Sequence, residues 1–372
     1  MSLRYLYLDD EQEEKTKSIV ELLESEVDGL EIITDTPKSF GDEIKRLKRE
    51  EYDGLMFDLR LDVKSEAEYR AFTLAQEIRT RATEGTMRDI PIVVCSTDTK
   101  LKKSYNKDAT GHDLFDRKYL KEEELVEKSD RVAKEMVSLA IGYKEITKIR
   151  SEARGVGPQL KQFFGLKDEE LAYLDIRLIE HFGKVEGKLP VHEYARFILN
   201  EMIFTSGPLV DANILAARLG VNKESDDFQD LIHNKLKSSI YKGPFNTYWK
   251  RWWWHSIENW WNKKVKENLA FMTATERLEA LKKATKLDNL NIQEPRNEGD
   301  STYFWTICEL YKTPIDPVDG FLVQGKEPFA WQDSNYLSYD AVLSPESKAS
   351  NIFPHQIEQE RVKELIKMNS AT

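Results

Sequence analysis

Apolar positions in the first third of the chain come in short unbroken runs, separated by longer stretches with a helical beat. LRYLYL (3–8), LEIITD (30–35), YDGLMFDL (52–59) and DIPIVVCST (89–97) are short enough for strands. They are too apolar to have a wet face, which predicts strands buried on both sides. A fifth run, HDLFDRKYL (112–120), is less apolar. Between them, EQEEKTKSIVELLES puts Ile19, Leu22 and Leu23 on one helical face. PKSFGDEIKRLKRE and EAEYRAFTLAQEIRTRA are amphipathic in the same way. Strict alternation predicts an α/β domain with a flavodoxin-like, five-stranded parallel sheet in the order 2-1-3-4-5.

The pattern then changes. Residues 121–153 contain no proline, and Val132, Met136, Leu139, Tyr143 and Ile146 form a heptad seam widened by Ala133, Val137 and Ala140. This predicts a connector helix, with a homodimer through residues 126–150 as one use of its seam. RGVGPQ (154–159) breaks it. From 160 to about 290 the beat is mainly helical, and beyond 300 turn-rich segments such as DPVDG alternate with short β-like runs. The expected organisation is therefore an α/β domain (1–125), a connector (126–154), a helical tryptophan-rich region (155–290) and a small α+β portion packed on it (291–372).

Two motifs in the helical region invite a functional reading. LVDANILAARLGVNKESDDFQDLI (209–232) has helix-turn-helix spacing, but its second helix would carry Glu224, Asp226, Asp227 and Asp230, the wrong sign for lying against phosphates. The segment 241–267 interleaves tryptophan with basic residues. As one helix it would align Trp249, Trp253, Ile257, Trp260 and Trp261 on a wide apolar face. That face suits a core or a protein-binding surface, and the basic flank leaves open the stacking of single-stranded nucleic acid.

Candidate chemistry gathers at the strand ends of the α/β domain. The first strand runs into Asp9 and Asp10, the third into Asp58, the fourth into Ser96 and Thr97, and the fifth carries Lys118. In such sheets functional groups collect beyond the carboxyl ends of the strands. Three converging carboxylates would raise one another's pKa and destabilise the fold. A hard divalent cation such as Mg²⁺ resolves that conflict.

These residues, in this order, resemble the receiver domain of bacterial two-component response regulators, the CheY-like family. The resemblance covers residues 1 to about 125 and rests on LDDE, GLMFDL, PIVVCST and DLFDRK. It implies that Asp58 accepts a phosphoryl group from a histidine kinase or phosphotransfer protein in a phosphorelay, making the chain a phosphoprotein. It implies that Asp9, Asp10, Asp58 and the main-chain carbonyl of Arg60 hold Mg²⁺, that Lys118 and Ser96 meet the phosphoryl oxygens, and that Phe115 is the switch aromatic. The chain departs from the family at Tyr119, where proline is common, and in the charged loop LRLDVKSEAEYR.

The remainder would be an output module, with an unidentified downstream protein as partner. Nucleic acid binding and an enzymatic activity that the motifs do not betray are the other classes. No P-loop or nucleophile elbow occurs, and His181, His192, His233, His255 and His355 lack metal-ligand spacing. The formal charge of −11 opposes binding of nucleic acid over the whole surface. Two distant cysteines, Cys95 and Cys308, argue for a reducing compartment, and no run is long enough for a membrane span. A cytoplasmic location is expected.

Overall fold

A computed structural model describes residues 2–10, 13–63, 67–97, 113–153, 160–183, 189–297 and 300–370. The predicted break at 154–159 and Lys64 of the charged loop lie outside the described residues. The chain divides into two units that cut across the expected boundaries. The first comprises 1–166, 181–200 and 243–249, and the second comprises 167–180, 201–242 and 250–372.

The first unit is built on β1 (Leu3–Leu8), β2 (Leu30–Asp35), β3 (Gly54–Asp58), β4 (Ile92–Ser96) and β5 (Arg117–Leu120). All neighbours pair in parallel, in the order β2-β1-β3-β4-β5. That is the flavodoxin-like order the alternation predicted. Every residue of β3 and β4 is buried, which explains runs without polar alternation. The sheet is flanked by α1 (Glu13–Glu26), α2 (Phe40–Arg49), α3 (Ala71–Thr83) and α4 (Ser129–Glu152).

The connector helix proves to be α4, and its seam is consumed inside the unit. Val132, Met136, Leu139, Tyr143 and Ile146 are all buried. Tyr5 donates to the Met136 carbonyl at 2.7 Å, and Tyr119 donates to Glu135 at 3.0 Å. This corrects the expectation of a dimer seam: those side chains are already covered within their own unit. The one glycine of α4 has a specific cause. A Cβ on Gly142 would lie 2.2 Å from the Phe245 ring, while the Ser138 hydroxyl donates to the Phe245 carbonyl at 2.9 Å. Gly142→Ala is expected to cost about 1–3 kcal/mol by overpacking, readable by chemical denaturation.

A buried ionic network ties α3 to the sheet. Arg79 reaches Asp89 at 2.8 Å and Asp116 at 2.9 Å, and Tyr143 donates to Asp116 at 2.6 Å. His192 closes on Asp89 at 2.7 Å, holding the helix Val191–Arg196 in the same unit.

In the second unit the tryptophan segment is not one helix. Trp252–Trp253 is a short strand paired antiparallel with Leu209–Val210, and a helix follows from Trp254 to Lys264. Trp252, Trp254 and Trp261 join Ile214, Leu219, Phe228 and Leu281 in the core. Trp253 is buried too, as is Trp249 within the first unit, and Trp260 is half-buried. The proposed partner surface of Trp249, Trp253, Trp260 and Trp261 is therefore corrected. A strand at 252–253 breaks the helical phase, and large rings fill the interior. The same burial takes Trp249, Trp252, Trp253, Trp254 and Trp261 out of reach of the base stacking that the basic flank left open. The helix-turn-helix pattern also dissolves: Ala212–Leu219 ends at left-handed Gly220, and the next helical stretch begins only at Phe228, too far on for a turn of three or four residues. Short antiparallel pairs, Thr306–Ile307 with Pro314–Ile315 and Phe321–Leu322 with Tyr336–Leu337, make up the small C-terminal sheets. No helix of the described residues is long and apolar enough to cross a membrane.

Candidate functional site at the carboxyl rim of the sheet

Strand register sets the site. Leu8 pairs with Phe57, so Asp9 and Asp58 leave adjacent strands at the same level. Asp58 pairs with Cys95, and Ser96 pairs with Leu120. Ser96 and the residue after Leu120, Lys121, therefore reach the same rim.

One carboxylate oxygen from each of Asp9, Asp10 and Asp58 lies within 4.8 Å of the others, and all three residues are buried. The Lys121 ammonium sits between two of them, 2.7 Å from Asp9 Oδ2 and 2.8 Å from Asp58 Oδ1. Tyr7 donates its hydroxyl to the same Asp9 oxygen at 2.6 Å. The Arg60 N–H donates to Asp58 Oδ2 at 2.8 Å, and the Val63 N–H donates to Asp10 Oδ2 at 2.8 Å, folding the loop back over the acids. The Arg60 guanidinium pairs with Asp62 at 2.7 Å.

Burial raises the Asp58 pKa above the ordinary aspartate value; Lys121 opposes the shift and Asp9 adds to it. For Lys121, burial works against the charge, yet the anionic groups around it, Asp58 and Asp9 among them, hold its pKa above the usual lysine value. Burial, then Cys95 and Asp9, push the Tyr7 phenol up, so it stays a donor.

The structure thus brings together Asp9, Asp10, Asp58 and Ser96, but not Lys118. That residue is exposed on β5 and pairs with Val94, two positions short of Ser96. At roughly 3.3 Å per residue it falls well below the rim. The expected amine is corrected to Lys121. Phe115 is buried before β5, edge-on to Phe72 at 5.5 Å. Sequence reasoning missed Lys121 and Tyr7. For Lys121 a signal existed, since the strand-end rule favours the first residue past KYL over one within it.

Three carboxylates against one ammonium leave two negative charges among hard oxygen donors, which fits Mg²⁺. The Ser96 hydroxyl adds to the fit: it is buried and has no hydrogen-bond partner among the described residues.

No family model matches the chain. No curated protein matches it. Among solved structures it is similar to a sensor protein from Polaromonas sp. JS666, at 19% identity over 35% of this chain and 94% of the other, with a TM-score of 0.26. It is similar to the chemotaxis response regulator CheY4 of Vibrio cholerae, at 17% identity over 36% and 99%, with a TM-score of 0.25. It is also similar to NtrX from Brucella abortus in complex with ADP, at 17% identity and a TM-score of 0.26. That match covers 44% of this chain and only 32% of NtrX.

Proposed function

We propose that the first unit is a Mg²⁺-dependent phosphoacceptor receiver of a phosphorelay, with Asp58 as the acceptor and the second unit as its output. The observation that carries this is the meeting of Asp9, Asp10 and Asp58, with the Lys121 ammonium between Asp9 and Asp58. Asp9, Asp10, Asp58 and the Arg60 main-chain carbonyl would hold the metal. When bound, Mg²⁺ offsets charge on the transferring phosphoryl oxygens. An Asp58 carboxylate oxygen forms the new bond to phosphorus as the bond to the donor's histidine nitrogen breaks, and the electron pair leaves with that nitrogen. Lys121 then faces the phosphoryl group as a point charge. Ser96 supplies the hydroxyl hydrogen bond its buried oxygen lacks. Tyr7 holds Asp9 in place throughout.

Incubation with acetyl phosphate and Mg²⁺, read by intact mass, tests the reading. The wild type is expected to gain a single phosphoryl adduct and Asp58→Asn none. Equal labelling of the asparagine variant would remove Asp58 from the role.

A further inference from the structure

The second unit carries a polar pocket for which the phosphoacceptor reading has no use. It encloses about 360 Å³, and its floor is the polar face of the helix Trp254–Lys264, where His255, Glu258, Asn259 and Asn262 recur at spacings of three and four. Tyr173 and Trp305 form aromatic walls.

Several features make it a built site. His255 Nδ1 is buried and has no hydrogen-bond partner among the described residues, a costly arrangement unless a ligand completes it. Tyr173 lies flat on the imidazole, with ring centroids 5.4 Å apart and planes 4° apart, yet remains 57% exposed. An aromatic plate is thus held rigid while one side stays open. Burial lowers the His255 pKa, so the ring is neutral near pH 7 and offers one donor and one acceptor. Burial also raises the Glu258 pKa, partly opposed by a hydrogen bond from Trp254 and by Arg218. Arg218 is itself fixed between Trp254 and Trp305, at 4.6 and 4.9 Å from their ring centres, which stiffens the rear wall.

We propose that this pocket binds a free nucleotide, its base against Tyr173 and Trp305, its edge completing His255 Nδ1 and read by Asn259, Asn262 and Glu258, and its phosphate at Lys266. An aromatic wall accepts the π-face of any base. Asparagine amides pair bidentately with base edges, and a glutamate accepts from an exocyclic amino group. The volume falls in the ordinary range for small-molecule sites. Lys266 lines the mouth and is exposed, so it can meet a phosphate without burying it. A mononucleotide brings few charges, and is thereby better suited than a polymer to a chain of net charge −11.

The test is isothermal titration of the full chain with AMP, GMP, CMP and UMP, beside ribose 5-phosphate and a short single-stranded RNA. Saturable binding of at least one nucleotide is expected, with ribose 5-phosphate silent. Tyr173→Ala and Asn262→Ala, both at exposed positions, should each weaken it about tenfold while leaving the thermal melt unchanged. Asp58→Asn should bind as the wild type does, so this result and the phosphodonor result are independent. The proposal is overturned by any of four results. These are the absence of saturable nucleotide binding, binding indifferent to both variants, ribose 5-phosphate binding equally well, or RNA binding without mononucleotide binding.

Discussion

Lys121→Ala is expected to destabilise the first unit by about 3–5 kcal/mol at neutral pH, because it leaves buried carboxylates without their counter-charge. Lys118→Ala, at an exposed strand position, should stay within about 0.5 kcal/mol. The sign of the pH dependence follows from the shifts. The folded-state pKa of Asp58 is raised, so the folded protein binds the extra proton between the unfolded and folded values, and stability falls as pH rises through that window. That of Lys121 is also raised, so its contribution is complete below the unfolded lysine value and disappears only as pH climbs through the folded one. Without the ammonium, protonation of Asp58 becomes the remaining relief. The deficit of Lys121→Ala should therefore shrink on acidification, and added Mg²⁺ should restore part of the melting temperature. Urea titrations of both variants at neutral and mildly acidic pH, with and without Mg²⁺, measure this. A larger loss for Lys118→Ala would overturn the placement of the amine.

Trp261→Ala should cost the second unit about 3–5 kcal/mol, the range for truncating a buried aromatic. The residue has no solvent exposure, and its indole N–H donates to the Glu267 carbonyl at 2.9 Å, fixing the turn after the helix. Trp260→Ala, at a half-buried neighbour, should cost under about 2 kcal/mol. Denaturation followed by tryptophan fluorescence separates them. Equal and negligible costs would return Trp261 to the surface.

The α/β fold was legible because β3 and β4, buried on both faces, leave a signature no amphipathic helix shares. The acids were legible for a related reason: charges placed directly after such runs can only lie at a rim. Lys118 misled because the fifth run is short and half-polar, so its end was set by composition, whereas the true end follows from Ser96 pairing with Leu120. Tyr7 was hidden by its apolar ring, since only coordinates reveal where a strand hydroxyl points. The seam of α4 is apolar in sequence and buried in the fold, but periodicity does not say whether a partner subunit or the chain's own unit covers it. In the tryptophan segment, spacings of three and four fitted a helix across a point where Trp252 and Trp253 pair with Val210 and Leu209 instead.

The placement of residues 243–249 has a practical consequence for anyone dissecting this molecule. A fragment stopping near the end of α4, the obvious cut, would discard Phe245, the ring seated over Gly142 and hydrogen-bonded through its carbonyl to Ser138. Such a truncation bares a hollow in the middle of a long helix. Solubility of the excised piece would then report on that wound more than on the proposed phosphoacceptor chemistry it was cut to isolate.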